Sequence, residues 1–504
     1  MHILNPQQLQ EVDVLTMQRQ QIRSWDLMER AAKAALKQII ADHPAMLGEP
    51  ITILCGKGNN GGDGLVMARL LLEMGQKPSV WLQHASQYSV DNQENQGLLP
   101  IGYLKTFHLH TNFEFPKQGL LIDCLFGYGL SKALTSDWQP IIEQINAFEG
   151  RVVSIDMPSG LACEGHLPAG SPIVEADCVY TFQMPKLNLV LPDYGYYAKS
   201  FKIISIDLDE AAIAESSSSS FYSDADSMAT LRKPRLKYSH KGTFGHALLL
   251  GGSYGKMGAM VLASKAAIRT GCGLLTAAVP IAGVSILQCT VPEAMVLADT
   301  NEQALQDFNF PTAYSAIGIG VGMGTSVESQ QGFSIFLRSL PAESKLVLDA
   351  DALNCLAKHS QLLAHLPKES ILSPHPKELS RLLGTWQHDY DKITKAKAFC
   401  QQYEVYLLIK GANSLLVCPD GELHFNATGN PGMATGGAGD VLTGILTSLR
   451  AQGYPAKEAA LLGMYIHGLA ADLAVEELGE ESLIASDISN YIGKAFMRLT
   501  QGGF

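Results

Sequence analysis

Short apolar runs, rich in β-branched residues, punctuate the chain, and between them apolar positions recur at three- and four-residue spacing. In the first half this pattern predicts strands at 51–55, 79–82, 120–123, 152–156, 178–182 and 203–206. Amphipathic helices are predicted at 65–74 and 140–148, and an opening helix at 24–40 has Ser24 as its candidate cap. Strands alternating with helices predict βαβ units and a parallel sheet. The second half repeats the style with different residues. Its predicted strands are 247–250, 274–279, 316–319, 346–348, 405–409 and 414–418, with helices at 257–270, 440–449 and 456–475. No sequence repeat relates the halves, so they read as two unrelated α/β domains.

One stretch breaks the pattern. Residues 209–228, DEAAIAESSSSSFYSDADSM, place five consecutive serines, Ser216 to Ser220, after an Ala/Glu-rich segment. Ser-rich composition favours a solvated, flexible connection. The expected division is a domain at 1–210, a linker at 211–228 and a domain at 229–504.

With 46% hydrophobic and 17% charged residues in 504, the chain holds enough apolar material for sizeable cores and is not of the disordered class. Its net charge of -12 argues against general nucleic-acid binding, which favours a basic surface. Nine scattered cysteines without a CxxC pair are expected to be buried, reduced thiols of a cytoplasmic protein. The start MHILNPQQLQEVD has no basic segment leading into an apolar one, so no signal peptide is expected. No run approaches the ~18–20 apolar residues of a spanning helix, so no membrane partner is expected.

Candidate chemistry in the first half sits at strand ends. Cys55-Gly-Lys-Gly-Asn-Asn-Gly-Gly-Asp-Gly64 follows one predicted strand and opens a helix, where free N–H groups favour an anion such as phosphate. It matches neither the P-loop pattern nor a clean GxGxxG. Asp123 lies in LIDCLFGYGL and Asp156 in SIDMPSG, each followed by a further turn. In open α/β sheets ligands bind outside the carboxyl ends of strands, so the three turns converge on one site.

GNNGGDG, DCLFGYGL and SIDMPSG together resemble the NAD(P)H-hydrate epimerase domain, the N-terminal YjeF-like family, over about residues 1–210. The resemblance implies K+ binding by Asn60, Asp123 and Ser159. It implies that the hydrated nucleotide is held by Asn59, Asn60, Gly61, Gly62 and Asp63, and by Gly127, Tyr128, Gly129, Leu130, Ser131, Lys132 and Ala133. Asp156 is the implied acid/base residue and also binds substrate. The R and S hydrates interconvert through ring opening or loss of the C6 hydroxyl, and either route needs proton transfers that a positioned carboxylate makes.

In the second half, Gly429-Asn-Pro-Gly-Met-Ala-Thr-Gly-Gly-Ala-Gly-Asp440 leads into an apolar helix pattern. Such a loop stabilises charge on a transferring phosphoryl group, and the Asp accepts a proton from an attacking hydroxyl. HKGTFGHALLLGGS, GIGVGMG, DADALN, SPHPKE, KGANS and NPGMATGGAGDVLTG, in that order, resemble the ADP-dependent NAD(P)H-hydrate dehydratase domain, the C-terminal YjeF-like family, over about residues 225–504. That implies substrate contacts from Ala259, Gly322, His375 and Asp440. It implies adenine-nucleotide contacts from Lys410, Gly411, Ala412, Asn413, Ser414 and Gly439, with Asp440 catalytic.

The expected fold class is therefore α/β in two domains, a Rossmann-like three-layer α/β/α domain followed by a ribokinase-like one. The expected function is repair of hydrated NAD(P)H. R and S forms are epimerised, and the S form is dehydrated with ADP as co-substrate, K+ serving the first domain and Mg2+ the second. A homo-oligomer is expected. Two competing readings are a small-molecule kinase with an accessory domain, which a stable phosphorylated product favours, and a nucleotide sensor, which binding without turnover favours.

Overall fold

The central strands of the N-terminal half are buried at nearly every position because helices cover both faces of their sheet. In the computed structural model, which describes residues 1–308 and 314–500, these strands are β1 (Ile51–Cys55), β2 (Ser79–Gln83), β3 (Lys105–Phe107), β4 (Leu120–Cys124), β5 (Arg151–Ile155), β6 (Cys178–Phe182) and β7 (Phe201–Ile204). They pair in the order β3-β2-β1-β4-β5-β6-β7, all parallel. Successive side chains point to opposite faces. Ile53, Cys55, Ile122 and Cys124 join a core with helices Ser24–Asp42 and Asn59–Glu73. Leu54 and Leu121 face the other way, onto Ile141, Ile142 and Ile145 of helix Gln139–Asn146. These are the three expected layers.

The second sheet contains β8 (Ser220–Ser223), β9 (His246–Leu250), β10 (Leu274–Val279), β11 (Met295–Ala298), β12 (Ala316–Ile319), β13 (Leu346–Leu348), β14 (Ile371–Leu372), β15 (Tyr406–Ile409), β16 (Leu415–Val417) and β17 (Leu423–Asn426). Their order is β11-β10-β9-β12-β13-β14-β15-β16-β17-β8. The run from β11 to β15 is parallel, and β15, β16 and β17 then pair antiparallel. Helix Ala438–Ala451 crosses helix Met257–Thr270 at Gly444, where a Cβ would lie 2.1 Å from the Ala263 carbonyl oxygen, so only glycine permits that approach.

In each sheet the chain direction of growth reverses once, between β1 and β4 and between β9 and β12. Such a reversal opens a crevice at the carboxyl ends of the two strands.

Several elements depart from the sequence expectation. Helix Asn59–Glu73 starts six residues before the predicted 65, inside the glycine-rich stretch. Packing overrides the poor helix propensity of those glycines. At Gly61 a Cβ would lie 1.9 Å from the Gly56 oxygen, and at Gly62 it would lie 2.6 Å from the Met28 sulfur. Ser24 is not a cap. Arg23 holds the N-cap position, and the Ser24 hydroxyl donates to Asp91 at 3.0 Å. β5 ends one residue early because Asp156 turns to a left-handed φ of 66°.

The two compact units divide between Ser220 and Phe221, with Met1 grouped with the second. The serine-rich stretch around this division is not bare connector. It holds helix Glu210–Glu215, capped by Asp209, then β8, then helix Ala225–Leu231, capped by Asp224. One helix, Ala456–Leu478, is long and apolar enough to cross a membrane by length and composition, contrary to expectation. Its apolar side chains, among them Leu462, Ile466 and Ala470, are spent on the core of the second unit.

Candidate active sites

Asp156 sits where β5 ends, in a backbone conformation that non-glycine residues rarely adopt and that costs about 1–3 kcal/mol. The turn aims its carboxylate back across the β1/β4 crevice. Lys186 Nζ pairs with Asp156 Oδ1 at 2.5 Å, and the Tyr128 backbone N–H donates to Oδ2 at 2.8 Å. Lys186 is 1% exposed and also donates to Thr181 Oγ1 and the Phe182 carbonyl. A fully desolvated ammonium needs all three acceptors, and it holds the Asp156 charge in place.

The cleft over this carboxylate has a volume of about 900 Å³. Asn59, Asn60 and Asp63 line one side of it, and the whole segment Gly127 to Ala133 lines another. Gly61 and Gly62 do not line it; they pack the helix start onto its surroundings. The hydrogen-bond ladder of helix Asn59–Glu73 begins with the Gly62 N–H on the Gly58 carbonyl, which leaves the preceding N–H groups for a bound anion.

Asp123 and Ser159 lie beneath the cleft, both fully buried. The Asp123 carboxylate accepts from Ser154 Oγ, Ser159 N, Ser159 Oγ and Leu125 N. Burial nevertheless pushes its pKa up, because none of these donors carries charge. The side chain of Asn60 is buried with neither its amide nitrogen nor its oxygen hydrogen-bonded. A buried carboxylate without a cationic partner among the described residues and an open amide oxygen fit a monovalent cation held by hard oxygen donors.

Sequence reasoning passed over three residues here. Asn92, on the polar helix Val90–Gly97, donates to the Gly56 and Gly58 carbonyls at 3.0 and 2.9 Å and so fixes the glycine-rich loop. Lys186 stands just before a short helix and has no motif around it. Asp13 belongs to helix Pro6–Gln20 and accepts the Tyr128 phenol proton at 2.8 Å. The capping box of that helix, Asn5 with Gln8, was the one signal available.

In the second unit Asp440 stands in the first turn of helix Ala438–Ala451 and accepts no hydrogen bond among the described residues. Burial, with Asp349 close by, pushes its pKa up to about 6, and Lys410 opposes the shift. Asp349 follows β13, caps helix Ala350–Lys358 and is 1% exposed. It accepts from Lys410 Nζ, Thr443 Oγ1 and the Ala350 N–H, each at 2.8 Å. Thr443 follows Asp440 by one helical turn, so Asp349 ties the helix that carries Asp440 to Lys410. A Cβ on Gly439 would lie 3.2 Å from Lys410 Nζ, which puts that loop beside the lysine.

Lys410 to Ser414 form the turn between β15 and β16, closed by Ser414 Oγ on the Gly411 carbonyl at 3.2 Å. Ala259 and Gly322 adjoin each other, since a Cβ on Gly322 would lie 3.1 Å from that of Ala259. His375 caps helix Pro376–Leu383: its Nδ1 accepts from the Lys377 and Glu378 N–H groups. That bond assigns the ring proton of the neutral form to Nε2, which lies 3.3 Å from Glu378 Oε1. No group of three ligating side chains is gathered for a metal among the described residues. Mg2+ is usually held by one or two carboxylates together with substrate phosphates, and the acids Asp440 and Asp351 suit that mode.

The chain's similarities agree with both halves. The family described as YjeF-related protein N-terminus matches residues 24–188, and that described as NAD(P)H-hydrate dehydratase matches 247–494. The chain is 32% identical to a bifunctional NAD(P)H-hydrate repair enzyme of Moorella thermoacetica, over 98% of this chain and 96% of that one. It is 34% identical to its counterpart from Coxiella burnetii, over 95% and 96%. A crystal structure of the ADP/ATP-dependent NAD(P)H-hydrate dehydratase of Bacillus subtilis, co-crystallized with ATP/Mg2+, is 30% identical with a TM-score of 0.50 and covers 55% of this chain and 98% of its own. Two α/β units, each with a carboxylate poised at its sheet's crevice, and full-length likeness to these enzymes place the chain in the family of bifunctional NAD(P)H-hydrate repair enzymes.

Proposed function

We propose that the N-terminal unit interconverts the R and S hydrates of NADH and NADPH, and that the C-terminal unit dehydrates the S form with ADP, giving NAD(P)H, AMP and phosphate. The observation that carries this reading is the pair of contrasting carboxylates. Asp156 is locked by a buried lysine, and Asp440 is half-buried, uncommitted and set in a first helical turn. Asp440 takes the proton of the C6 hydroxyl, and the oxygen attacks the terminal phosphate of ADP. Phosphate then leaves C6, and C5 gives up a proton as the ring double bond reforms. Lys410 and the loop N–H groups face the transferring charge. Mg2+, when bound, neutralises the phosphoryl oxygens. The Lys410 to Ser414 turn and Gly439 hold the adenine nucleotide, while Ala259, Gly322 and His375 hold the hydrate.

The test is stoichiometry. S hydrate with ADP and Mg2+ is expected to yield AMP and phosphate in step with NADH; a stable phosphorylated hydrate would favour the kinase reading. Because Asp440 acts deprotonated, kcat/KM for dehydration is expected to fall about tenfold per pH unit below about pH 6. A pH–rate profile flat down to pH 5 would contradict this.

In the N-terminal unit Asn60 and Asp123 hold K+, with Ser159 orienting Asp123, and the ion neutralises the buried carboxylate. Replacing K+ by a large organic cation is expected to slow epimerisation and leave dehydration unchanged, read by separate assays of the two steps. The enzyme acts in the cytoplasm, in keeping with nine free cysteines of which eight are buried. Assembly into a homo-oligomer is read directly by light scattering.

A further inference from the structure

Ring opening of the hydrate needs two proton-transfer groups. One removes the proton of the C6 hydroxyl, and another delivers a proton to ring nitrogen N1 as the C6–N1 bond breaks. Asp156 alone fills one of these roles.

Behind the main cleft lies a smaller cavity of about 260 Å³. Asn59, Asp63, Tyr128, Asp156 and Phe182 line both, so the two spaces communicate. The inner cavity is too small for a dinucleotide. Leu9, Met17, Leu27, Met28, Ile206 and Leu208 form the apolar part of its wall. Two carboxylates that share one bridging residue stand in it. The Tyr128 backbone N–H binds Asp156 Oδ2 and the Tyr128 phenol binds Asp13 Oδ2, each at 2.8 Å. The two acids differ in environment. Asp156 is paired with Lys186, whereas Asp13 has no cation in hydrogen-bond contact among the described residues.

Resting on the epimerase reading, we propose that Asp13 is a second catalytic residue, the acid that protonates N1 while Asp156 takes the hydroxyl proton, with the hydrated ring seated in the inner cavity between them. The electron pair of the hydroxyl O–H bond forms the C6 carbonyl. The C6–N1 pair moves to N1, which takes the Asp13 proton. Rotation about C5–C6 then presents the other face of the aldehyde. On closure N1 attacks C6, its proton returns to Asp13, and the oxygen recovers the proton held by Asp156. No electrons are gained or lost overall.

The groups facing Asp13 support this division. Burial pushes its pKa up to about 6; Asp156 adds to the shift, while the Tyr128 phenol and Lys186 oppose it. Asp63 from helix Asn59–Glu73 and Asp91 from helix Val90–Gly97 complete the charged lining. Asp91 is engaged by the Ser24 hydroxyl, and burial among these acids pushes the Asp63 pKa up.

The test uses the full chain and pure R hydrate, with the epimers separated chromatographically. Asp13→Asn is expected to lower the epimerisation kcat by about 10²-fold or more with KM little changed, and Asp13→Glu to recover part of it. Tyr128→Phe removes the donor that holds the Asp13 pKa down, so the alkaline limb of the kcat/KM profile is expected to move to higher pH. This second variant decides the matter if Asp13→Asn loses its fold by circular dichroism. A wild-type kcat in folded Asp13→Asn, or an alkaline limb unmoved in Tyr128→Phe, would overturn the proposal. A wild-type chain that does not interconvert the epimers would instead overturn the epimerase reading on which it rests.

Discussion

Asp440→Asn is expected to abolish dehydration while epimerisation continues at its normal rate. The substituted amide keeps the size of the carboxylate and its place in the first helical turn, but it does not accept the hydroxyl proton. Loss of a general base costs about 10²–10⁴-fold in rate. The Asp440 side chain makes no hydrogen bond among the described residues, and the bonds of Asp349 to Lys410 and Thr443 survive the change. Removing a carboxylate that burial disfavours is also not expected to lower stability. The variant should therefore unfold at the same temperature as the parent or higher. Dehydration of the S hydrate by Asp440→Asn within tenfold of the parent rate would remove this residue from the mechanism.

Asp156→Asn carries a larger structural consequence. Epimerisation is expected to disappear, and the N-terminal unit is expected to lose about 3–5 kcal/mol, because Lys186 is left charged and unpaired where it is 1% exposed. The double variant Asp156→Asn/Lys186→Met removes both charges. It is expected to recover much of that stability, since a buried pair replaced by apolar groups of similar volume is often neutral. It is not expected to recover epimerisation. Denaturant titration of the parent, single and double variants separates the two effects. A single variant as stable as the parent would show that the lysine finds water or another partner, and that the pair is less tightly locked than its geometry implies.

The contrast between these two acids also explains what was legible before the fold was known. The glycine-rich turns announced both crevices. Glycine, asparagine and aspartate at the ends of apolar runs have few uses other than tight turns and ligand contact, and a parallel sheet brings strand ends together whatever their spacing. The resemblance to the epimerase family then implied Asn59, Asn60, Asp63, the segment Gly127 to Ala133 and Asp156, and these residues meet in one cleft. What stayed hidden came from polar segments with no period. Helix Pro6–Gln20 and helix Val90–Gly97 have weak apolar stripes, so neither was expected, and with them went Asp13 and Asn92. Lys186 reaches Asp156 across thirty residues of sequence, and no local pattern marks a lysine as buried. Gly61 and Gly62 have a packing duty that no motif announces, since a Cβ at either would run into Gly56 or Met28. In the second half, His375 was expected to contact the hydrate, and its visible duty is to cap a helix with its ring fixed for that purpose.

The most direct measurement follows absorbance at 340 nm while the full chain acts on a mixture of R and S NADH hydrates with ADP, Mg2+ and K+. Complete recovery of NADH, with the R fraction consumed after the S fraction, is the predicted result, because one unit supplies the epimer that the other consumes. Recovery that stops at the S fraction would contradict the epimerase half. No recovery from either epimer would contradict the account as a whole.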